Sequence, residues 1–313
     1  MKALENKTIL VTGAGGFIGS HLAERLATVK GVRLLLLSRR SRSSRLPRAT
    51  WLRGSLNDLT REYWKKSGIS HIDVVFHLGA HAPKVAGEIN HVERVFIDNL
   101  QGTRTLLEGL PTGVNSIVFS STVDIYAPIT FGMFLTEDSP LGPVGLYGAS
   151  KLFCEKLVSV WAERNSSRYA ILRYGHIFGP GEESYGKVIP LMIRRLLAGE
   201  APNVHGAGLA ERDLLYVKDA VEASVRAACS RESIEPVNIV RGASTSIGEI
   251  AELLIEKTGA QVQINFLTDK PDGHSFRFDN AMMRRTLGEW PLVSLSDGLE
   301  EEISAFRRRV DVG

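Results

Sequence analysis

The sequence predicts an α/β fold, a doubly wound parallel sheet followed by a smaller, partly interleaved second lobe. Three observations predict it. Short β-branched apolar runs alternate with amphipathic helical stretches through the first half of the chain. A glycine triplet, Gly13, Gly16 and Gly19, follows the first of these runs directly. Farther on, Tyr147 and Lys151 stand one helical turn apart in Tyr-Gly-Ala-Ser-Lys.

The first strand is expected at residues 9–12, in a run whose composition suits burial on both faces. Gly13 lets the chain turn sharply, Gly16 lets backbone approach a pyrophosphate, and Gly19 lets the next helix pack close to the strand. Phosphates would then sit on that helix N-terminus, as in a Rossmann-type dinucleotide site. The spacing is Gly-x-x-Gly-x-x-Gly, with Gly15 as an extra glycine. The second strand, residues 32–37, ends without the acidic residue that would bind an adenosine ribose 2′-hydroxyl. Ser38, Arg39 and Arg40 stand there, followed by Arg42 and Arg45. A guanidinium fork can hold a 2′-phosphate, which favours NADP over NAD. After the third strand, residues 51–53, two roles are open to Asp58: meeting the adenine edge or capping the following helix.

Further strands are expected at residues 74–78, 116–120 and 169–173, and long helices at 92–109 and 146–162. After Gly175 the alternation loosens around Gly179-Pro180-Gly181 and Gly206-Ala207-Gly208. Residues 1–174 are therefore expected to bind the dinucleotide. Residues 175–313 should form mainly a substrate-binding lobe, with some segments returning to the first domain.

Composition excludes several classes. The 313 residues can bury a substantial core, and a net charge of +3 with both signs interspersed points to neither nucleic acid nor a membrane surface. Two cysteines, Cys154 and Cys229, are too few for a disulfide framework, and no Cys/His cluster has metal-ligand spacing. The first seven residues are too short and charged for a secretory signal, and no apolar stretch approaches membrane-spanning length. The expected compartment is a reducing cytoplasm.

The chain resembles the extended short-chain dehydrogenase/reductases of the NAD-dependent epimerase/dehydratase family, whose members mostly act on nucleotide-linked sugars. The resemblance runs nearly end to end. It is carried by Thr12 through Gly19, Phe76-His77-Leu78-Gly79-Ala80, Asn99 with Gly102-Thr103, Phe119-Ser120-Ser121-Thr122 and Leu172-Arg173-Tyr174. It continues through Gly179-Pro180-Gly181, Arg212-Asp213, Tyr216 to Asp219, and Leu287-Gly288. It implies that Phe17, Ile18, Leu78, Gly79, Ala80 and Asn99 join the glycines around the cofactor. It also implies a homodimer built on the two long helices.

The chemistry follows from residue types. Moving hydride between nicotinamide and an alcohol or ketone requires a proton at the oxygen, and a free phenol near pKa 10 is a poor acid–base group at neutral pH. The ammonium of Lys151 should favour the tyrosinate of Tyr147 and order the nicotinamide ribose. Thr122 matches the family's catalytic Ser or Thr, four residues before Tyr126. In the family's 4,6-dehydratases that Thr precedes an Asp-Glu pair. Val123 and Asp124 stand here, and valine cannot donate a proton, so 4,6-dehydration is disfavoured. Asp124 either approaches the pocket or serves the loop.

For substrate, Arg212 matches a family arginine that grips a diphosphate. Lys270 and Arg277 stand near another phosphate-binding position, with surface charge as their alternative. His176 replaces an asparagine usual in the family, so the pocket would hold an unusual substrate, with acid and positioning roles both open. The leading expectation is an NADP-dependent reductase of a nucleoside-diphosphate 4-keto-6-deoxy sugar. A 4-epimerase with retained cofactor is the close alternative, and a reductase of a small non-nucleotide carbonyl compound is a third. A non-catalytic NADP-binding sensor is disfavoured by the intact Thr, Tyr and Lys set.

Overall fold

The computed structural model describes residues 1–39, 46–83, 88–128, 133–183 and 185–310. In chain order, β1 (Thr8–Thr12), α1 (Phe17–Ala27), β2 (Arg33–Ser38), β3 (Ala49–Arg53), α2 (Arg61–Ser67) and β4 (Val74–His77) form the first half of the nucleotide fold. A continuous helix follows: α3 (Val92–Val95) passes through a π turn, Phe96–Gln101, into α4 (Gly102–Gly109). Then come β5 (Ser116–Thr122), α5 (Leu146–Arg164) and β6 (Arg168–Tyr174). The rest comprises β7 (His176–Phe178), α6 (Val188–Leu197), β8 (Asn203–His205), β9 (Glu211–Tyr216), α7 (Val217–Ala228) and β10 (Ile234–Ile239). These lead into β11 (Ser244–Ser246), α8 (Ile247–Thr258), β12 (Asn265–Leu267), α9 (Ala281–Leu287) and α10 (Leu295–Val310).

The principal sheet has seven parallel strands in the order β10-β6-β5-β4-β1-β2-β3. Six are the expected strands. The seventh, β10, is supplied by the C-terminal part of the chain. Burial on both faces explains the apolar runs: alternate residues of each strand enter different cores. Ile9, Val11, Leu34, Leu36, Val74 and Phe76 face the core shared with α1 and α7. Leu10, Leu35, Leu37, Val75, Ile117 and Phe119 face the one shared with α2, α4 and α5.

Two small sheets make the second lobe. β7 pairs parallel with β9, which pairs antiparallel with β11, and β8 pairs parallel with β12. The chain therefore passes back into the main sheet between its visits to this lobe. Among the described residues no helix is long and apolar enough to cross a membrane.

Candidate active site

The C-terminal ends of β1, β2, β4 and β5 carry the residues that fit a dinucleotide. Gly13 has φ 69°, and a Cβ there would stand 2.8 Å from the Gly79 amide nitrogen, so the β1–α1 turn lies flat against the end of β4. A Cβ on Gly19 would overlap the Gly13 carbonyl, which fixes how closely α1 packs on the turn. The Gly16 amide donates to the Gly13 carbonyl at 2.8 Å. Gly16 is the N-cap of α1, and neither a side-chain cap nor an acidic first-turn residue is present there. Phe17 and Ile18 open the helix, so its first N–H groups and dipole suit a pyrophosphate. This cradle fits a nicotinamide dinucleotide.

Leu78, Gly79 and Ala80 continue β4 as a half-buried strip beside that turn. The Gly79 amide donates to Thr12 Oγ1 at 3.0 Å, and Thr12 Oγ1 lies 2.9 Å from His77 Nδ1. His77 Nε2 reaches Thr103 at 2.9 Å. Burial, then the charge of Lys151, pushes His77 down to about 3, so it serves as a neutral linker. Asn99, in the π turn, accepts from the His81 amide at 2.7 Å and donates to the His81 carbonyl and to Ser150 Oγ, each at 2.9 Å. It thereby ties the strip after β4 to α5.

At the end of β2, Ser38 is buried and Arg39 is half exposed. Arg39 Nη1 pairs with Asp98 Oδ2 at 2.9 Å, a carboxylate that also meets Arg94 at 3.4 Å. Arg40, Arg42 and Arg45 lie outside the described residues. Asp58 is a capping residue: its carboxylate accepts from the Ser55 amide at 2.7 Å and from Ser55 Oγ at 3.0 Å.

Thr122, Tyr147 and Lys151 come together at the end of β5 and the first turns of α5. Thr122 is buried and N-caps the short turn Val123–Ile125, where its Oγ1 accepts from the Asp124 amide at 3.2 Å. Lys151 is 2% exposed, and its Nζ donates to the Ser120 carbonyl at 2.6 Å, 4.7 Å from the centre of the Phe119 ring and 5.9 Å from that of Tyr147. Burial lowers its ammonium to about 8. The expected lowering of the Tyr147 phenol is absent in the protein alone. Burial raises it above its ordinary value, and the charge of Asp124 raises it further. The physical reason is that the phenol is buried, while Lys151 is engaged by the Ser120 carbonyl and the charge of Asp124 acts in the same direction as burial. Asp124 is exposed, yet desolvation by the surrounding protein, and then the charge of Glu88, raise its carboxyl, opposed by a hydrogen bond with Thr122.

Beneath these groups lies a buried polar network. Arg173 grips Glu155 through Nε at 3.0 Å and Nη2 at 2.9 Å, and donates to the Tyr126 hydroxyl at 3.0 Å. Ser121 also donates to Glu155, and Tyr126 donates to Asn238 at 2.7 Å. Fork geometry and full satisfaction of the carboxylate hold the β5 terminus, and so Thr122, in register with α5.

In the second lobe lies a cavity of about 850 Å³ between β7, α6, β8, β9 and α8. His176, Lys187, Arg212 and Lys270 line it, with Val204, Leu214 and Ile247 among its apolar walls. Arg212 stacks 5.3 Å over Phe276 and donates to the Glu211 carbonyl at 2.8 Å and to the His274 carbonyl. Both contacts are neutral, which leaves its charge unbalanced by a carboxylate among the described residues. Arg277 departs from expectation. It forms a two-pronged ion pair with Glu211 and is not among the lining residues, because the carboxylate of the strand beside it supplies a nearer partner than any phosphate.

Sequence reasoning missed several groups. Glu88 Oε2 accepts from the Leu146 amide at 3.0 Å, closing the N-terminus of α5. Asp98 competes for Arg39, and Tyr185 stands near Phe17 and Lys187. Glu88 and Asp98 are distant in sequence from Leu146 and Arg39, and only the acidic residue beside Asn99 offered a local signal.

A family model described as NAD dependent epimerase/dehydratase family matches residues 9–240. Among curated proteins, the chain is 30% identical to a dTDP-glucose 4,6-dehydratase of Actinoplanes sp., over 96% of this chain and 97% of that one. The solved UDP-glucose 4-epimerase of Thermotoga maritima with UDP-glucose is similar at 30% identity and TM-score 0.84, covering 97% of this chain and 99% of that one. The UDP-glucuronic acid 4-epimerase of Bacillus cereus, solved with UDP-glucuronic acid and NAD, is similar at 26% identity and TM-score 0.81, covering 96% and 99%.

Proposed function

This chain belongs to the NAD-dependent epimerase/dehydratase family, and from that membership we propose that it is a nucleotide-sugar 4-epimerase with a retained nicotinamide cofactor. The observation that carries the reading is the presence of Thr122 at the end of β5 and Tyr147 in the first turn of α5 with buried Val123 where dehydration would need an acid. The relatives of known structure support it, since several are 4-epimerases.

The glycine turn, Leu78 to Ala80 and Asn99 would hold the dinucleotide, which when bound supplies the acceptor and donor of a hydride. Tyr147 takes the proton of the sugar 4-hydroxyl and later returns it, while Thr122 hydrogen-bonds the same oxygen. Lys151, held by the Ser120 carbonyl, stands behind the Tyr147 ring where its donors would order the nicotinamide ribose. Arg212 and Lys270 hold the diphosphate in the cavity, so that the sugar alone can turn over between the two hydride steps. A cavity bearing these cations also favours a diphosphate substrate over a small carbonyl compound.

The residues at the end of β2 favour a second reading, the NADPH-linked reductase of a 4-keto-6-deoxy sugar, because Ser38-Arg39 replaces an acidic residue. Against it stands the engagement of Arg39 by Asp98. We take NAD as the resident cofactor. Denaturing the purified protein and weighing the released nucleotide tests this, and product analysis with UDP-glucose tests the reaction. Conversion to the 4-epimer without net cofactor change is expected. Stoichiometric oxidation of added NADPH by a 4-keto sugar would transfer the assignment to the reductase.

A homodimer is the proposed assembly. Val92, Phe96 and Phe153 are exposed large apolar side chains on the helix α3–α4 and on α5.

A further inference from the structure

His176 is the residue whose surroundings the proposed reaction leaves unexplained. It opens β7, opposite Leu214 in the register of β9, so Arg212 lies two residues along the neighbouring strand. Its ring packs 5.2 Å from Phe276, the same ring that Arg212 covers from 5.3 Å. The imidazole lines the cavity, and its Nδ1 is buried without a hydrogen-bond partner. A buried polar atom left unmade costs on the order of 1–3 kcal/mol, so an orphan at a cavity wall points to a partner that arrives with the ligand.

The charges around it are lopsided. Burial holds the imidazole at about 4, and Arg212 and Lys187 depress it in the same direction. Lys187 is itself paired with Glu182 at 2.7 Å. Across the cavity, Arg194 donates to the Glu183 carbonyl and Arg195 pairs with Glu200 at 3.0 Å, while Lys270 and His205 complete the titratable wall. His176 is therefore neutral chiefly because it is buried, and the charges of Arg212 and Lys187 act in the same direction. A diphosphate between Arg212 and Lys270 would bring two negative charges to the same wall and reverse the field.

We propose that His176 is the proton-accepting member of the diphosphate site: filling the cavity with a sugar nucleotide turns its imidazole cationic, so that substrate binding takes up a proton from solvent. The inference deepens the reading of a nucleoside-diphosphate sugar and rests on it. The protonated ring adds a charge-assisted hydrogen bond from Nδ1, whereas an asparagine at this position would offer a neutral one. Binding is then tighter on the acidic side of neutrality, and the pH dependence belongs to substrate capture and not to the proton transfer at Tyr147.

The test is calorimetric titration of the protein as purified with UDP-glucose, whose diphosphate diester has no titration near neutral pH. Runs in buffers of different ionisation enthalpy count protons, and turnover to an epimer consumes none. Uptake of a fraction of a proton near pH 6.5 is expected. Affinity should fall by about tenfold from pH 5.5 to 8.0, as half-uptake of a proton near pH 6.5 requires by linkage. In His176→Asn, checked for an unchanged melting temperature, both effects should vanish while binding persists. Binding without uptake in the natural protein, or uptake that survives in His176→Asn, overturns the proposal but leaves the nucleotide-sugar reading intact. Failure of UDP-glucose, dTDP-glucose and GDP-mannose alike to bind removes both.

Discussion

Gly148, the residue after Tyr147, lies so close to Asp124 that a side-chain carbon would overlap the Asp124 carbonyl oxygen. This contact sets how near α5 comes to the end of β5, and so the separation between the Tyr147 phenol and the Thr122 hydroxyl. Gly148→Ala should push the helix away, at an overpacking cost of about 1–3 kcal/mol. The expected result is a kcat lowered by at least about tenfold, with KM for the sugar nucleotide little changed, because the diphosphate cavity is formed by other elements. Steady-state kinetics with a melting curve checks it; a wild-type kcat would mean that the helix yields without moving Tyr147.

Asp124 acts on the same phenol by charge. Its carboxylate is among the groups that raise Tyr147, and its removal in Asp124→Asn should make tyrosinate easier to form. Where the reaction needs tyrosinate as base, the acidic limb of the kcat profile should move to lower pH by up to about one unit. A limb that stays in place, or moves upward, would show that the carboxylate does not govern Tyr147 during turnover.

Glu302 on α10 and Glu182 before α6 are both buried and face one another. Burial first, and then the charge of Glu182, raises Glu302 well above the carboxylate range. A folded-state pKa raised above the unfolded one contributes stability that is present at low pH and lost as pH rises through the folded value. The melting temperature should therefore fall between pH 6 and pH 9, and Glu302→Gln should fall less over that interval, by about 3 °C or more. Parallel slopes for the two proteins in scanning calorimetry would dismiss the pair as a source of alkaline instability.

Phe96 and Phe153 are 57% and 56% exposed on the helix pair proposed to meet a second copy. Replacing both by Asp should convert the dimer to monomer in sedimentation at micromolar protein, since charges at the centre of an apolar interface are strongly disfavoured. An unchanged sedimentation coefficient would place the interface elsewhere.

Much of the fold was legible because its determinants are local. The apolar runs, the glycine turn and the i, i+4 spacing of Tyr147 and Lys151 each report a backbone geometry within a few residues. The seventh strand was hidden by its own sequence. Glu235 and Pro236 interrupt β10, and the structure accommodates them at the sheet edge with a register shift between Ile234 and Val237. The electrostatic partners were hidden by distance. Nothing near Arg39 announces Asp98, nothing near Arg277 announces that Glu211 will claim it, and the charge facing Tyr147 depends on the fold of a loop. Residue type indicated which groups could do chemistry, whereas packing decides which charges they meet.

The placement of β10 also bears on how the protein is made. As the nascent chain leaves the ribosome, six strands of the main sheet are complete once β6 has emerged, yet the outer edge of β6 has its hydrogen-bonding partner only after Ile234 to Ile239 follow. During that interval the nucleotide domain carries an uncovered edge, the condition under which strands pair with the wrong chain. Slow translation through residues 175–233 would lengthen the exposure, and a truncated product ending there would be a candidate for chaperone capture.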